Sequence, residues 1–198
     1  MAGFAPYYPA PLFGTYKPAS FIQGTSGVGT SATLGNNTLR ICAMPIQRQV
    51  TAIGMFGEFT VAGDGPSLIV MTLYADDGTG FPGALLVNGG SISTGAGNAG
   101  TIPTGGTPGV YSGAITPLVL NPALYWIGGV IQGVTVTQPT MRAAFWENFN
   151  GAINVLPTAG QSIIGYSVTA AGAPPNPFPA FGTAGTVGTF PRIGLQLQ

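Results

Sequence analysis

The sequence predicts an all-β domain, a jelly-roll-like antiparallel β-sandwich with an extended N-terminal arm. Apolar residues return in short blocks, and clusters drawn from 33 glycines and 18 prolines separate these blocks. No window shows a helical period, whereas alternation with a period of two recurs along the chain, as it does in strands. Short strands joined by turns about every 8 to 12 residues are typical of sandwiches.

Nine segments are predicted to be strands. They cover residues 39–46, 49–61, 67–74, 84–93, 110–120, 123–132, 142–145, 161–169 and 192–197. The turn at 63–66, with the sequence Gly-Asp-Gly-Pro, is expected to join the second strand to the third as a hairpin. Residues 171–179 are rich in proline, which donates no ladder hydrogen bond, so they are expected to form a surface loop or crossover.

Residues 1–35 are predicted to form the arm, and residues 36–198 the jelly-roll β-sandwich domain. Prolines in the first 35 residues fix the backbone and oppose regular structure. The arm carries six aromatic side chains: Phe4, Tyr7, Tyr8, Phe13, Tyr16 and Phe21. Because each ring buries a large area on contact, the arm is expected either to form an assembly interface on a neighbouring subunit or to fold back on its own domain.

Charge is scarce, with five Lys/Arg and five Asp/Glu among 198 residues, while 45% of residues are hydrophobic. Typical soluble domains are about 25% charged, so this surface is either packed against other subunits or covered by neutral polar side chains. The scattered cations form no basic patch, which argues against nucleic acid as a partner. No apolar run is long enough to cross a membrane, and the N-terminus shows no secretory signal.

The absence of histidine excludes Ser-His-Asp and Cys-His catalysis and histidine-based metal sites. A glycosidase needs two carboxylates. The pairs that could act in this way are Glu58 with Asp76 and Glu58 with Glu147. Asp64, Asp76 and Asp77 stand in glycine-rich turns, where their side chains bond the local backbone. Asp76 and Asp77 are also the candidate cation ligands, but Ca²⁺ takes about six to eight oxygens. We therefore expect no catalysis, no metal and no cofactor.

Two apolar segments contain side chains that are expected to be buried. Cys42 is the one cysteine, and its apolar neighbours favour an unreactive buried thiol. Tyr125 and Trp126 lie at the centre of a predicted strand, and core packing is expected for one of the two because neighbours in a strand face opposite sides. Glu58 is expected to pair across strands with Arg40 or Arg142.

Three strand-turn-strand stretches share a pattern of turns and aromatic residues. They are Gly57-Glu58-Phe59-Thr60-Val61-Ala62-Gly63-Asp64, Leu73-Tyr74-Ala75-Asp76-Asp77-Gly78-Thr79-Gly80-Phe81-Pro82-Gly83-Ala84-Leu85-Leu86 and Leu118-Val119-Leu120-Asn121-Pro122-Ala123-Leu124-Tyr125-Trp126-Ile127. Together they resemble jelly-roll domains of structural proteins in tailed bacteriophages, including capsid-decoration, minor tail and fibre proteins. The resemblance covers roughly residues 38–145, and the chain from Asn148 onward departs from it. It implies assembly, often as trimers, and carries over no catalytic residue.

The resemblance and the scarcity of charge predict a noncatalytic virion protein, located in a capsid decoration or at the tail. It is expected to form a homo-oligomer, specifically a trimer. This oligomer is expected to assemble with other virion proteins, and all of these contacts are expected to be neutral and apolar. The arm and the long loops contain one charge, Lys17, so charge is missing most where contact is expected.

Trp146 supports an alternative hypothesis, a carbohydrate-binding module that recognises a receptor. It lies beside Asn148 and Asn150, where a predicted strand runs into a polar turn. This composition is that of an interface anchor, which we favour, or of a sugar-binding platform for a neutral host-surface glycan, together with the loop at 93–108. A glycoside hydrolase that uses Glu58 is a third hypothesis.

Overall fold

The computed structural model describes residues 30–64, 66–93, 109–145, 165–180, 185–186 and 189–198. Within these ranges the chain forms twelve strands and no helix. The strands are β1 (Thr30–Thr33), β2 (Thr38–Ile46), β3 (Val50–Val61), β4 (Leu68–Asp76), β5 (Pro82–Ser93), β6 (Gly109–Leu120), β7 (Ala123–Gln132), β8 (Thr140–Phe145), β9 (Gly165–Thr169), β10 (Gly185–Thr186), β11 (Thr189–Pro191) and β12 (Ile193–Leu197). No helix with the length and apolarity of a membrane span occurs in this part of the chain.

The strands form two antiparallel sheets. Sheet A has the order β1-β8-β3-β12, with β11 beside β8 and β6 beside β3. Sheet B has the order β10-β9-β2-β7-β4-β5. Successive strands from β2 to β9 pass repeatedly from one sheet to the other, and the two sheets enclose one main core. The predicted all-β, jelly-roll-like antiparallel sandwich is confirmed.

The turn at 63–66 does not form the predicted hairpin. β3 belongs to sheet A and β4 to sheet B, so this turn carries the chain across the sandwich. β3 is already paired along both edges, with β6 on one side and with β12 and β8 on the other. β4 is buried on both faces, and a strand of that kind needs the covered interior position that it takes in sheet B.

Each of the nine predicted strands overlaps an observed one, although residues 161–164 lie outside the described residues. Three short strands were not predicted: β1, β10 and β11. β1 lies within the segment predicted as the arm and pairs with β8, where Thr30 is opposite Ala143. Its sequence, Thr-Ser-Ala-Thr, shows no alternation of apolar and polar residues, so the sequence pattern does not indicate a strand. β1 is a strand because its backbone pairs with β8.

The main core fills the space between the sheets. Sheet A contributes Met55, Phe59 and Tyr111, and the rings of Phe59 and Tyr111 meet edge to face with centroids 4.9 Å apart. Sheet B contributes Ile69, Met71 and Leu73, which share one face of β4 as the alternation predicts.

A second apolar cluster lies on the outer face of sheet B. Its members alternate along the strands with those of the main core and include Leu39, Ile41, Val70, Tyr74, Trp126, Val130, Tyr166 and Phe178. Residues 170–180, here called the cover loop, contain no strand, as predicted, and lie over this face. Tyr74 Oη donates to the carbonyl of Pro175 over 3.0 Å, and Gln132 Nε2 donates to the carbonyl of Gly172 over 2.7 Å. Sheet B is therefore covered on both faces by its own chain.

Candidate functional site

Most of the predicted contact residues lie outside the described residues. These are the arm aromatics Phe4, Tyr7, Tyr8, Phe13, Tyr16 and Phe21, the possible glycan contacts Trp146, Asn148 and Asn150, and the loop at 94–108. Their roles stay predictions. Four of the five carboxylates, the cysteine and the long strands lie within the described residues.

Asp76 and Asp77 form the turn between β4 and β5. Oδ1 of Asp76 accepts hydrogen bonds from the backbone N–H groups of Gly78 and Gly80, over 2.8 and 3.2 Å. Oδ1 of Asp77 accepts from the backbone N–H of Thr79 over 2.8 Å and from its hydroxyl over 2.6 Å. Both glycines have a positive φ, of 92° and 87°, which side chains rarely adopt. The two acids are turn formers, as their glycine-rich setting predicts.

The same hydrogen bonds bear on the cation hypothesis. Those from Thr79, the hydroxyl first, hold the pKa of Asp77 below its usual value, so this carboxylate is ionised at neutral pH. Backbone N–H groups donate hydrogen bonds to Oδ1 of Asp76 and to Oδ1 of Asp77. These bonds use lone pairs that a bound cation would also need. Within the ranges described, no three Cys, Asp or Glu side chains come together as metal ligands.

Asp64 connects two turns. Its Oδ2 accepts from the backbone N–H groups of Thr135 and Val136, over 2.7 and 2.8 Å, and from the Thr135 hydroxyl. These bonds, led by the Thr135 hydroxyl, lower the pKa of Asp64. The carbonyl of Asp64 accepts from the backbone N–H of Ser67 over 3.0 Å. The crossover between the sheets is thereby tied to the turn that follows β7.

Glu58 on β3 forms an ion pair with Arg142 on β8. Arg142 Nε donates to Oε1 of Glu58 over 3.2 Å, which confirms one of the two predicted cross-strand pairs. The chain neighbours Phe59 and Met141 face the main core. Because neighbours in a strand point to opposite faces, the ion pair lies on the outer face of sheet A.

Glu58 and Asp76, one of the two carboxylate pairs considered for glycoside hydrolysis, lie on opposite outer faces of the sandwich. Asp76 contacts Trp126 in the cluster on the outer face of sheet B. The full thickness of the sandwich therefore separates its carboxylate from that of Glu58, whereas a glycosidase places two carboxyl groups within about 10 Å. Glu147, the other candidate partner, lies outside the described residues.

Cys42 and Trp126 belong to the protein interior. The Cys42 side chain is half-buried against the main core, and burial raises the pKa of its thiol to about 12. A thiol with this pKa is neutral at physiological pH, in line with the predicted lack of reactivity. Trp126 is fully buried under the cover loop, while Tyr125 reaches the main core on the opposite face of β7.

Two long edge strands, β5 and β6, form what we call the neutral margin of the sandwich. In the described part of the chain, β5 pairs with β4 alone and β6 with β3 alone, and β5 and β6 contact each other. Each contains twelve residues and no charged one. Leu86, Val110 and Val119 on these strands are 40%, 49% and 55% exposed. Exposed edges usually carry charge, which prevents pairing with other chains, and these edges do not.

The two edges of the neutral margin are protected to different degrees. The start of β5 is covered by the cover loop, because the backbone N–H of Leu85 donates to Asn176 Oδ1 over 3.1 Å and that of Phe178 to the Gly83 carbonyl over 2.9 Å. Farther along, Gly90 has a φ of 72° and the register with β4 shifts three times. β6 has one such irregularity, near Gly54 on β3. β6 is therefore the more open edge.

A cleft of about 500 Å³ lies between the acidic turn and the cover loop. The buried rings of Phe81, Tyr166 and Phe178 line it, together with Pro82, Pro177 and the exposed carboxylate of Asp77. The Phe81 ring centroid lies 4.6 Å from that of Tyr166 and 6.0 Å from that of Phe178. The sequence did not predict this cleft, because its walls come from segments about a hundred residues apart.

The charged side chains described at the cleft are carboxylates. Burial, and then the charges of Asp77 and Asp76, raise the pKa of Tyr166. No Lys or Arg is found among the described residues that line the cleft. A cation is therefore electrostatically favoured there.

Comparison with known proteins gives no family for this chain, since no protein-family model matches it and no curated protein matches it significantly in sequence. The resemblance to phage jelly-roll proteins is therefore still a prediction. The function has to be inferred from the residues of the chain itself.

Proposed function

We propose that this protein is a noncatalytic structural protein of a bacteriophage virion, in a capsid decoration or at the tail, that assembles as a homo-oligomer. A trimer is the expected state, and other virion proteins are the expected partners. The observation that carries the proposal is the neutral margin, where two adjacent edge strands of twelve residues each contain no charged side chain.

Assembly through this margin is physically favourable. An edge strand presents unpaired backbone N–H and C=O groups, which can pair with another chain. Burying ions is costly, and neither β5 nor β6 has an ion to bury. The exposed apolar side chains of Val110 and Val119 on β6 gain from removal from water. The composition of the whole chain, with ten charged residues, agrees with a surface that is used for contacts.

The described carboxylates support a structural role. Asp64, Asp76 and Asp77 accept hydrogen bonds from turns, and Glu58 accepts one from Arg142. A general acid or nucleophile needs a carboxyl group directed at a substrate in a cleft. Of these four, Asp77 alone lines the cleft described above, and no second carboxylate lines that cleft with it among the described residues.

The mass of the purified protein in solution, measured by light scattering over a range of concentrations, tests the proposal. We expect an oligomer for the wild type and a shift to lower mass for Val110→Lys and Val119→Lys, because each places a charge on the β6 edge. Val136→Lys is the matched control, since Val136 is 87% exposed in the turn after β7 and belongs to neither β5 nor β6. A wild type that stays monomeric at every concentration contradicts the proposal.

A further inference from the structure

We propose that the cleft between the acidic turn and the cover loop binds the Tyr16-Lys17-Pro18 segment of a neighbouring copy, with the Lys17 ammonium beside the Asp77 carboxylate. The inference rests on the proposed function, because it requires copies of the chain to assemble. It identifies the cleft as the receptor for the arm.

Charge complementarity is the first argument for this occupant. Asp77 is exposed at the cleft and ionised, and the described lining contains no cation that would neutralise it. Lys17 is the one charged residue among residues 1–39. The cation of the arm and an ionised carboxylate with no described cation beside it in the cleft therefore belong to the same chain.

The apolar walls of the cleft suit the neighbours of Lys17. Phe81, Pro82 and Pro177 contribute ring surfaces to the lining. Tyr16 and Pro18 flank Lys17 with rings of the same two kinds. Aromatic rings bury large areas against each other, and a lysine stem covers apolar surface while its ammonium stays at the polar border.

The position of β1 indicates that the segment comes from another copy. The arm leads into Thr30 at the edge of sheet A, whereas the cleft lies on the outer face of sheet B, on the far side of the sandwich. Lys17 precedes Thr30 by thirteen residues, which span at most about 45 Å when fully extended. This length permits a crossing to a neighbouring molecule, which the homo-oligomer of the proposed function supplies.

A double-mutant cycle tests the pairing of Lys17 with Asp77 in the full-length protein. Asp77→Asn keeps an oxygen for the bonds from Thr79 and removes the charge, and Lys17→Met keeps the stem. We expect each variant to weaken association about fivefold, as for an exposed ion pair, and the double variant to be no weaker than either one. Asp64→Asn, in the other acidic turn, is the control and should be additive with Lys17→Met. Full additivity of Asp77→Asn with Lys17→Met overturns the proposal.

Disulfide trapping distinguishes a neighbour's arm from the chain's own. One tagged chain carries Lys17→Cys and an untagged chain carries Asp77→Cys, and the two are mixed and oxidised. We expect a mixed dimer of tagged and untagged chains, and none when Asp64→Cys replaces Asp77→Cys. If the cross-link forms only within a chain that carries both cysteines, the proposal is overturned.

The oligomeric states of the variants and of the wild type distinguish the role of the cleft from the role of the neutral margin. If the Val119→Lys variant loses assembly while Asp77→Asn and Lys17→Met assemble like the wild type, the cleft is not the receptor but the neutral margin is still an interface. If the wild type is monomeric throughout, both proposals fail.

Discussion

The indole Nε1 of Trp126 donates a hydrogen bond to Oδ2 of Asp76 over 3.1 Å. Trp126 is fully buried in sheet B, and Oδ1 of the same carboxylate accepts from Gly78 and Gly80 in the turn. One acid therefore links the interior of the sandwich to the turn that borders the cleft. Asp76 is one of five acidic residues in the chain, and its carboxylate has a structural role.

The Asp76→Ala substitution is expected to destabilise the fold. It removes the acceptor for two turn N–H groups and leaves the indole N–H without one, and an unsatisfied buried donor costs about 1–3 kcal/mol. Urea unfolding measures this loss. In a Trp126→Phe background, which has no indole N–H, the same substitution should cost less. An equal cost in both backgrounds would show that the Trp126 hydrogen bond contributes nothing.

Gly128 on β7 is expected to tolerate no side chain. A Cβ at this position would overlap the Arg40 carbonyl oxygen and stand 2.7 Å from the Ile41 Cα on the paired strand β2. Because these are backbone atoms inside a sheet, Gly128→Ala should cost about 1–3 kcal/mol of unfolding free energy.

Gly172 in the cover loop provides the matched control for this substitution. A Cβ there meets nothing within 4 Å, so Gly172→Ala should change the unfolding free energy by less than about 0.5 kcal/mol. Thermal unfolding of both variants gives the comparison. Similar melting temperatures for the two would be inconsistent with the tight contact between β7 and β2.

The stability of the fold is expected to fall in acid. Hydrogen bonds, led by those from the hydroxyls of Thr135 and Thr79, lower the pKa values of Asp64 and Asp77 in the folded state. An acid whose pKa is lowered on folding stabilises the protein above its unfolded pKa, which is about 3.9 for Asp, and that contribution is lost as pH falls below it through the folded pKa.

Urea unfolding between about pH 6 and pH 2 measures this loss. The wild type should keep its stability down to about pH 4 and then lose it. The Asp64→Asn/Asp77→Asn double variant should show a shallower decline, because it lacks both titrating groups. If the two profiles have the same slope below pH 4, the lowered pKa values of Asp64 and Asp77 do not govern the acid response.

Local patterns predicted the strands, but they did not predict which sheet each strand joins. The alternation in 49–61 and 67–74 was sufficient to identify β3 and β4, because side-chain periodicity is a local property. The hairpin between them was wrong, since partner choice depends on the competing strands β6, β12 and β7, which are distant in sequence. The burial of Tyr74 and Trp126 beneath the cover loop likewise required a contact with residues 166–178.

The candidate site was predictable in part. The turn role of Asp76 and Asp77 followed from the adjacent glycines, since that chemistry is local. The neutral margin was present in the sequence as two predicted strands without charge, at 84–93 and 110–120. That these two strands become adjacent edges depends on the sandwich topology, and the cleft depends on the packing of the cover loop.

Cys42 is expected to react slowly with a thiol reagent in the native protein. Burial raises the pKa of its thiol to about 12, whereas a free cysteine has a pKa of about 8.5. The thiolate is the reactive form, and its fraction falls more steeply with rising pKa than its nucleophilicity grows, so at pH 8 the native rate should be more than about tenfold below that of the unfolded chain. A Val136→Cys variant provides the exposed control and should react with one thiol at the rate of an unfolded chain. A native Cys42 that reacts within about tenfold of the unfolded rate would contradict a buried, neutral thiol and place this side chain at an accessible surface.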